Sequence, residues 1–160
     1  MADALPQVKM TTEVGEVTIE LFEDDAPNTV ANFISLTENG FYNDLNFHRV
    51  IPGFVAQGGC PDGTGTGSPG YSIKLEAKRE HKVGAIAMAR SAHPDSAGCQ
   101  FYFVLDENGC AHLDNDYTVF GQVTDGIDVL EKISESTKIN GVNVLSKREH
   151  DYTPEKLDKN

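Results

Sequence analysis

The chain has 160 residues, 39% hydrophobic and 24% charged, proportions that fit one soluble domain spanning 1–160. Its formal net charge of -12 argues against nucleic acid and anionic membranes, both of which call for basic patches. No apolar run approaches the roughly 18 residues of a membrane helix, and Met1-Ala2-Asp3-Ala4-Leu5-Pro6 lacks the basic start and apolar core of a secretory signal.

Val17, Ile19 and Leu21 alternate with Thr18, Glu20 and Phe22, the pattern of a strand with one buried face. Val8, Met10 and Thr12 predict its hairpin partner, joined through Val14-Gly15-Glu16. Asp24-Asp25-Ala26-Pro27 reads as a helix start, because acids suit the positive end of the helix dipole and Pro27 fits the first turn. Val30, Phe33, Ile34 and Thr37 continue as a helical stripe that Asn39-Gly40 ends. Leu45 to Val50 and Gly53 to Gln57 read as strands, and Gly58 to Gly70 as a long loop. Ala85 to Ala89, Gln100 to Leu105 and Tyr117 to Val123 are further strands. Thr124-Asp125-Gly126 opens a second helix with Ile127, Leu130 and Ile133 inward. Asn140-Gly141 is a type I′ hairpin signal between Lys138-Ile139 and Val142-Asn143-Val144. From about His150 the chain is polar and charged, and a loose C-terminal tail is expected. Many short strands with two helices, and no βαβ alternation, favour a mainly antiparallel barrel capped by helices.

Four stretches could carry chemistry. In Phe47-His48-Arg49-Val50-Ile51-Pro52-Gly53-Phe54-Val55-Ala56-Gln57-Gly58-Gly59, one arginine and one glutamine stand among apolar residues. Side chains alternate along a strand, so a bulge or bend near Gly53 could bring Arg49 and Phe54 to one face. A snorkelling arginine on a barrel edge is the plainer alternative. The glycine loop from Gly58 to Gly70 resembles a phosphate cradle only superficially. Two prolines interrupt it, and Tyr71-Ser72-Ile73-Lys74-Leu75 follows as a strand where a helix N-terminus is needed. Cys60, Cys99 and Cys110 form an odd set with neither disulfide nor zinc-ribbon spacing, which favours a reduced, cytoplasmic protein over a matured exported one. On paper they could pair with His48, His81, His93 or His112 as nucleophile and base, or Cys110-Ala111-His112 could bind metal, but no nucleophile elbow or further ligand spacing supports either. Finally, Met88 to Phe103 reads as strand, turn and strand. There Gln100 and Tyr102 share one face and Phe101 and Phe103 the other. Gln100 then either lines a pocket or is a buried amide satisfied by backbone groups.

Together these segments resemble the cyclophilins, the prolyl cis–trans isomerase family. The matching motifs are Phe47-His48-Arg49-Val50-Ile51-Pro52-Gly53-Phe54, Gln57-Gly58-Gly59, Gln100-Phe101-Tyr102-Phe103, and His112-Leu113-Asp114 with Val119-Phe120-Gly121. They stand in the family's order and spacing from roughly Val17 to Ile133. Met88-Ala89-Arg90-Ser91 and His112-Leu113-Asp114-Asn115-Asp116-Tyr117-Thr118 are most similar to the bacterial cytosolic type. The resemblance implies an eight-stranded, antiparallel, closed β-barrel with a helix at each end and a groove on its outside. It implies an isomerase of X–Pro bonds in peptides and unfolded proteins, assisting folding as a monomer and using no cofactor. A non-catalytic proline-peptide binding module is the alternative.

By position, the resemblance makes Arg49 the catalytic arginine and Gln57 its orienting partner. Phe54, Val55, Tyr102 and Leu113 become the proline pocket. Ala89, Arg90 and Ser91 with Gln100 would hold the peptide backbone, and His48 and Tyr117 would stand at the rim. Three departures stand out. His112 occupies the place where many eukaryotic members carry a tryptophan that contacts ciclosporin, so weak ciclosporin binding is expected. Arg90 replaces a common asparagine at a position that contributes mainly backbone contacts. Tyr102 replaces a frequent phenylalanine, and its hydroxyl needs water or a partner. After Ile133 the family pattern weakens, and Asn140-Gly141 is the anchor chosen for the last strand.

Overall fold

The computed structural model describes residues 4–63, 65 and 67–158. Thr64 and Thr66 of the glycine loop, residues 1–3 of the N-terminal stretch, and Lys159 and Asn160 of the tail lie outside the described residues. The first hairpin forms as its alternation requires. Strand β1 (Gln7–Thr12) pairs antiparallel with β2 (Gly15–Leu21), placing Val8 opposite Ile19 and Met10 opposite Val17. Helix α1 (Pro27–Glu38) follows, then β3 (Phe47–Ile51), β4 (Val55–Gly58), β5 (Tyr71–Ser72), β6 (Ala85–Met88) and β7 (Phe101–Val104). One helical turn, α2 (Glu107–Cys110), runs into a 3-10 turn at Ala111–Leu113. Strand β8 (Val119–Asp125), the single turn α3 (Ile127–Leu130), β9 (Ile139–Ser146) and β10 (Leu157–Asp158) complete the chain.

Eight strands form one antiparallel sheet in the order β3-β4-β7-β6-β8-β2-β1-β9, and β5 pairs separately with β10. The expected barrel is therefore open rather than closed. Among the described residues its edge strands β3 and β9 form no ladder with each other. The bridge between Asn46 and Lys138, with backbone bonds such as Phe47 N–H to Thr137 O (3.0 Å) and Ser136 N–H to Phe47 O (2.8 Å), stitches one end of the seam.

The central strands are buried on both faces. Inside the curl, Phe101 and Phe103 of β7 meet Phe47 and join α1's Phe33, Phe120 of β8 and Tyr42 in an aromatic core. On the outer face, Tyr102 and Val104 pack with Val55, Ala85, Ala87, Val119 and Cys110. Each large apolar side chain so buried contributes about 1.5–3 kcal/mol. Two-sided burial makes β6 and β7 uniformly apolar instead of alternating.

Helix α1 starts where Pro27 enters its first turn, but its capping differs from the expectation. Asp24 and Asp25 precede the helix and pair instead with Arg148 (2.8 Å) and Arg79 (2.5 Å). The carboxylate of Glu76, on a distant loop, accepts from the backbone N–H of Thr29 (2.7 Å) and Asn28 (3.2 Å), and from the Thr29 hydroxyl. A carboxylate on unpaired helix-end amides is what the helix dipole favours, whichever part of the chain supplies it.

Three further expectations change. The second helix is only one turn long, so its inward stripe is broken. Leu130 and Ile133 are buried, but Ile127 is 45% exposed and lies against Gly84 at the surface. Asn140-Gly141 is not a hairpin turn. Both residues lie inside β9, where Thr12 pairs with Ile139 and Thr11 with Gly141, leaving Asn140 as the extra residue of a bulge. Nor is the segment beyond Arg148 loose. Tyr152 is only 7% exposed and donates its hydroxyl to Glu23, which His150 also meets at 2.7 Å. Glu155 exchanges backbone hydrogen bonds with the Asn28 side chain (2.6 and 3.0 Å), and β10 pairs with β5.

Replacing Glu76 by alanine should strip the cap from α1. Urea unfolding should show a loss of about 1–2 kcal/mol, with a lower midpoint and an unchanged denaturant slope.

Candidate active site

The β3–β4 hairpin turns at Pro52-Gly53-Phe54, with Gly53 at φ +74, a conformation that suits glycine. The bulge that corrects the strand parity is not there but at His48. Phe47 faces Gly58 and Arg49 faces Gln57, leaving His48 as the extra residue. This register sets the exposed Arg49 and the half-buried Gln57 side by side on the outer face.

From Arg49 a chain of polar contacts runs across the sheet. Arg49 Nη1–H donates to Gln57 Oε1 at 3.4 Å, a long contact, and Gln57 Nε2–H donates to Gln100 Oε1 at 3.2 Å. Gln100 Nε2–H then donates to the carbonyls of Gly65 (2.9 Å) and Gly67 (3.0 Å). Every amide in the chain uses its oxygen on one side and its N–H on the other. The glycine loop's own amides are engaged inward, because Gly65 N–H and Gly67 N–H both donate to the Cys60 sulfur at 3.2 Å. Those amides are therefore not aimed outward at a phosphate.

Beside this chain lies a cavity of about 430 Å³ lined by His48, Arg49, Phe54, Val55, Gln57, Gly65, Ala89, Arg90, Tyr102, Leu113 and Tyr117. Val55 and Tyr102 belong to the packed outer layer of the sheet, and Phe54, Ala89, Leu113 and Tyr117 pack around them. The α2 turn brings Leu113 into place. Asp106 caps it through Asn108 N–H (2.9 Å), and the Cys110 thiol points at Phe54 O (3.5 Å). Burial, with Asp106 and Asp114 nearby, pushes the Cys110 thiol up to about 11, so it is a protonated donor and not a thiolate nucleophile at neutral pH. His112 stacks on Phe54 with ring centroids 6.1 Å apart. Ser91 and Gln100 line an adjoining cavity of about 410 Å³. Each residue expected from the sequence thus stands in the groove, on its adjoining cavity or against its edge. Among the described residues no group of three or more His, Cys, Asp or Glu side chains is placed to hold a metal.

Two residues, His81 and Asp114, stand behind the pocket, where no sequence expectation placed them. His81, 2% exposed, follows the charged run Lys78-Arg79-Glu80 and has no local signal that marks it. Its Nε2 lies 2.7 Å from the Tyr102 hydroxyl and its Nδ1 2.7 Å from Asp114 Oδ1, while its backbone N–H donates to the same oxygen at 2.7 Å. The rings of His81 and Tyr102 lie nearly parallel, 8° apart. A neutral imidazole that donates from Nδ1 to Asp114 and accepts the Tyr102 O–H at Nε2 satisfies all three groups. Here, then, is the partner that the Tyr102 hydroxyl required. Burial lowers the His81 pKa, with the Asp114 contacts acting against that shift. Burial would raise Asp114, but hydrogen bonds from the His81 backbone and ring hold it below the usual carboxylate range. His48 is also lowered, by burial and then by Arg49.

A sequence model described as "Cyclophilin type peptidyl-prolyl cis-trans isomerase/CLD" matches residues 7–151. A peptidyl-prolyl cis-trans isomerase of Helicobacter pylori is 49% identical over 136 residues, covering 82% of each chain. Peptidyl-prolyl cis-trans isomerase B of Bacillus subtilis is 47% identical over 132 residues, covering 81% of this chain and 90% of its own. Among solved structures, a cyclophilin-type isomerase of Cryptosporidium parvum superposes with a TM-score of 0.82 at 27% identity, covering 90% of this chain and 99% of its own. A second structure of that protein, solved in the presence of the dipeptide Ala-Pro, gives a TM-score of 0.81 at 28% identity, covering 88% and 99%.

The His81 network has a pH signature. Below the ordinary histidine pKa of 6.5 the unfolded chain binds a proton that buried His81 resists, so this group's contribution makes stability fall as pH drops through that region. In His81→Gln the Gln oxygen can still accept from Tyr102, and the acid slope of stability should be shallower than in the wild type. Nitrogen-15 NMR at pH 7.5 should show His81 neutral with its proton on Nδ1.

Proposed function

Because the chain belongs to the cyclophilin-type peptidyl-prolyl cis–trans isomerases, we propose that it binds proline-containing peptides in the groove around Arg49 and turns their X–Pro bonds there. The activity itself follows from the family: this is an isomerase, and no bond is made or cut. The barrier to be lowered is the amide's partial double bond, about 18–20 kcal/mol. Twisting that bond ends the resonance and returns a lone pair to the proline nitrogen. A guanidinium N–H aimed at that nitrogen stabilises the twisted state over the planar one, which is differential binding of the transition state. Each tenfold in rate needs only about 1.4 kcal/mol.

One observation carries this reading. Arg49 is exposed beside an apolar floor of Phe54, Val55, Tyr102 and Leu113, and its charge is steadied by an amide, not a carboxylate. The pocket grips the proline ring while the acyl side rotates. Gln57 orients Arg49, and Gln100 with the loop carbonyls orients Gln57. Ala89, Arg90 and Ser91 contact the peptide backbone. Tyr102 forms the floor with its hydroxyl turned inward to His81. His48 and Tyr117 stand at the rim.

The substrates are X–Pro segments of unfolded or flexible chains, and the protein assists folding. It acts as a monomer in the reducing cytoplasm. The three buried thiols, Cys60, Cys99 and Cys110, support that setting. Exposed large apolar side chains amount to Ile51, Val83, Ile127 and Leu145 among the described residues, too few to suggest a stable dimer face.

Exchange NMR on an Ala-Pro peptide tests the reading. The wild type should accelerate cis–trans exchange, and Arg49→Ala should lose about 100-fold or more of that acceleration while staying folded. Binding without acceleration by the wild type would instead make the groove a recognition module. Equal acceleration by the variant would remove Arg49 from the mechanism. Ciclosporin should bind weakly, because a histidine stacked on Phe54 offers less apolar area than a tryptophan. His112→Trp should tighten it, as read by calorimetric titration.

A further inference from the structure

Arg90 is held unlike the two arginines that lie outside the groove. Arg79 pairs with Asp25, and Arg148 with Glu23 and Asp24. Arg90 has no carboxylate in ion-pair range among the described residues. Its guanidinium lies 4.4 Å over the Tyr117 ring and is tied to neutral carbonyls. Nε and Nη2 donate to Asp116 O (3.0 and 2.7 Å), and Nη1 donates to Ser91 O (2.9 Å) and Ala92 O (3.3 Å). A guanidinium has five N–H groups, so one stays available together with the full positive charge. The side chain is already immobilised and would lose little further freedom on pairing.

Its position gives that charge a use. Arg90 lines both the Arg49 groove and the adjoining cavity, and among the described residues no Asp or Glu lines either one. In a chain with 25 acidic residues against 13 basic ones, the groove is thus a cationic site on an acidic protein. Field lines from two unpaired arginines converge where a peptide must enter. We propose that Arg90 makes this groove select peptides that carry a carboxylate side chain next to the X–Pro unit, that side chain lying over the divide between the two cavities. The proposal rests on the isomerase reading for where the proline sits and adds what flanks it.

The test uses proline peptides that differ only in the residue before the X–Pro unit or at X itself: Glu, Gln or Lys. Chemical-shift titration gives Kd, and exchange NMR gives the rate. The wild type should favour Glu over Gln by about three- to fivefold in Kd and in kcat/KM, and disfavour Lys. The preference should lie in KM and not in kcat, and fade in about 0.5 M salt. Arg90→Gln should bring the three peptides together, and Arg90→Lys should keep the order. Equal Kd values for Glu, Gln and Lys in the wild type would overturn the proposal, as would a Glu preference unchanged in Arg90→Gln. The Kd comparison decides the matter whether or not exchange is accelerated, and acceleration of the neutral Gln peptide tests the isomerase reading separately.

Discussion

Strand β7 is buried on both of its faces, and the groove depends on that. Phe101 and Phe103 point into the aromatic core with Phe33, Phe47 and Tyr42, while Tyr102 and Val104 point outward into the layer beneath the cavity. A slip of one residue would exchange the two sets, putting Tyr102 in the core and a phenylalanine in the pocket. Pairing with β4 carries the same constraint outward, because Gln57 lies opposite Tyr102 and Arg49 opposite Gln57. The candidate site is therefore an outer face of the sheet, held in register by the core behind it.

The polar part of the site is organised by neutral partners. Arg49 leans on an amide, that amide on another, and the last on two loop carbonyls. Arg90 is fixed by carbonyls and a tyrosine ring. A carboxylate in either place would hold the arginine as well but would cancel its field. Where the fold uses arginine for attachment, as at Arg148, carboxylates do surround it. The Asp114–His81–Tyr102 chain is the exception with a full charge at its end. That charge sits behind the pocket, separated from the groove by a neutral imidazole and a phenol.

Local patterns revealed the fold wherever a signal carries a single physical meaning. The β1–β2 hairpin, α1 and the strand positions followed from period and punctuation. They misled where a signal has two physical meanings. A glycine after asparagine serves a turn or a bulge, and Asn140-Gly141 became a bulge because β1 offers a continuous partner. Acids before a proline suit a helix end, yet Asp24 and Asp25 found arginines while Glu76 took the amides. The polar C-terminal segment looked unsupported, since its partners Glu23 and Asn28 lie more than a hundred residues away.

By itself the sequence determined the kinds of group in the site and the family whose motif order they follow. Residue type and short-range order belong to the chain, and Arg49, Phe54, Gln57, Gln100, Tyr102, His112 and Leu113 are all legible there. Only the tertiary structure decided where the parity shift falls, which is at His48 and not Gly53, because a bulge is defined against a partner strand. Only it paired Tyr102 with His81 and tied Arg90 to backbone carbonyls. Such facts depend on which distant groups the sheet brings within a few ångströms, and no spacing along the chain encodes that.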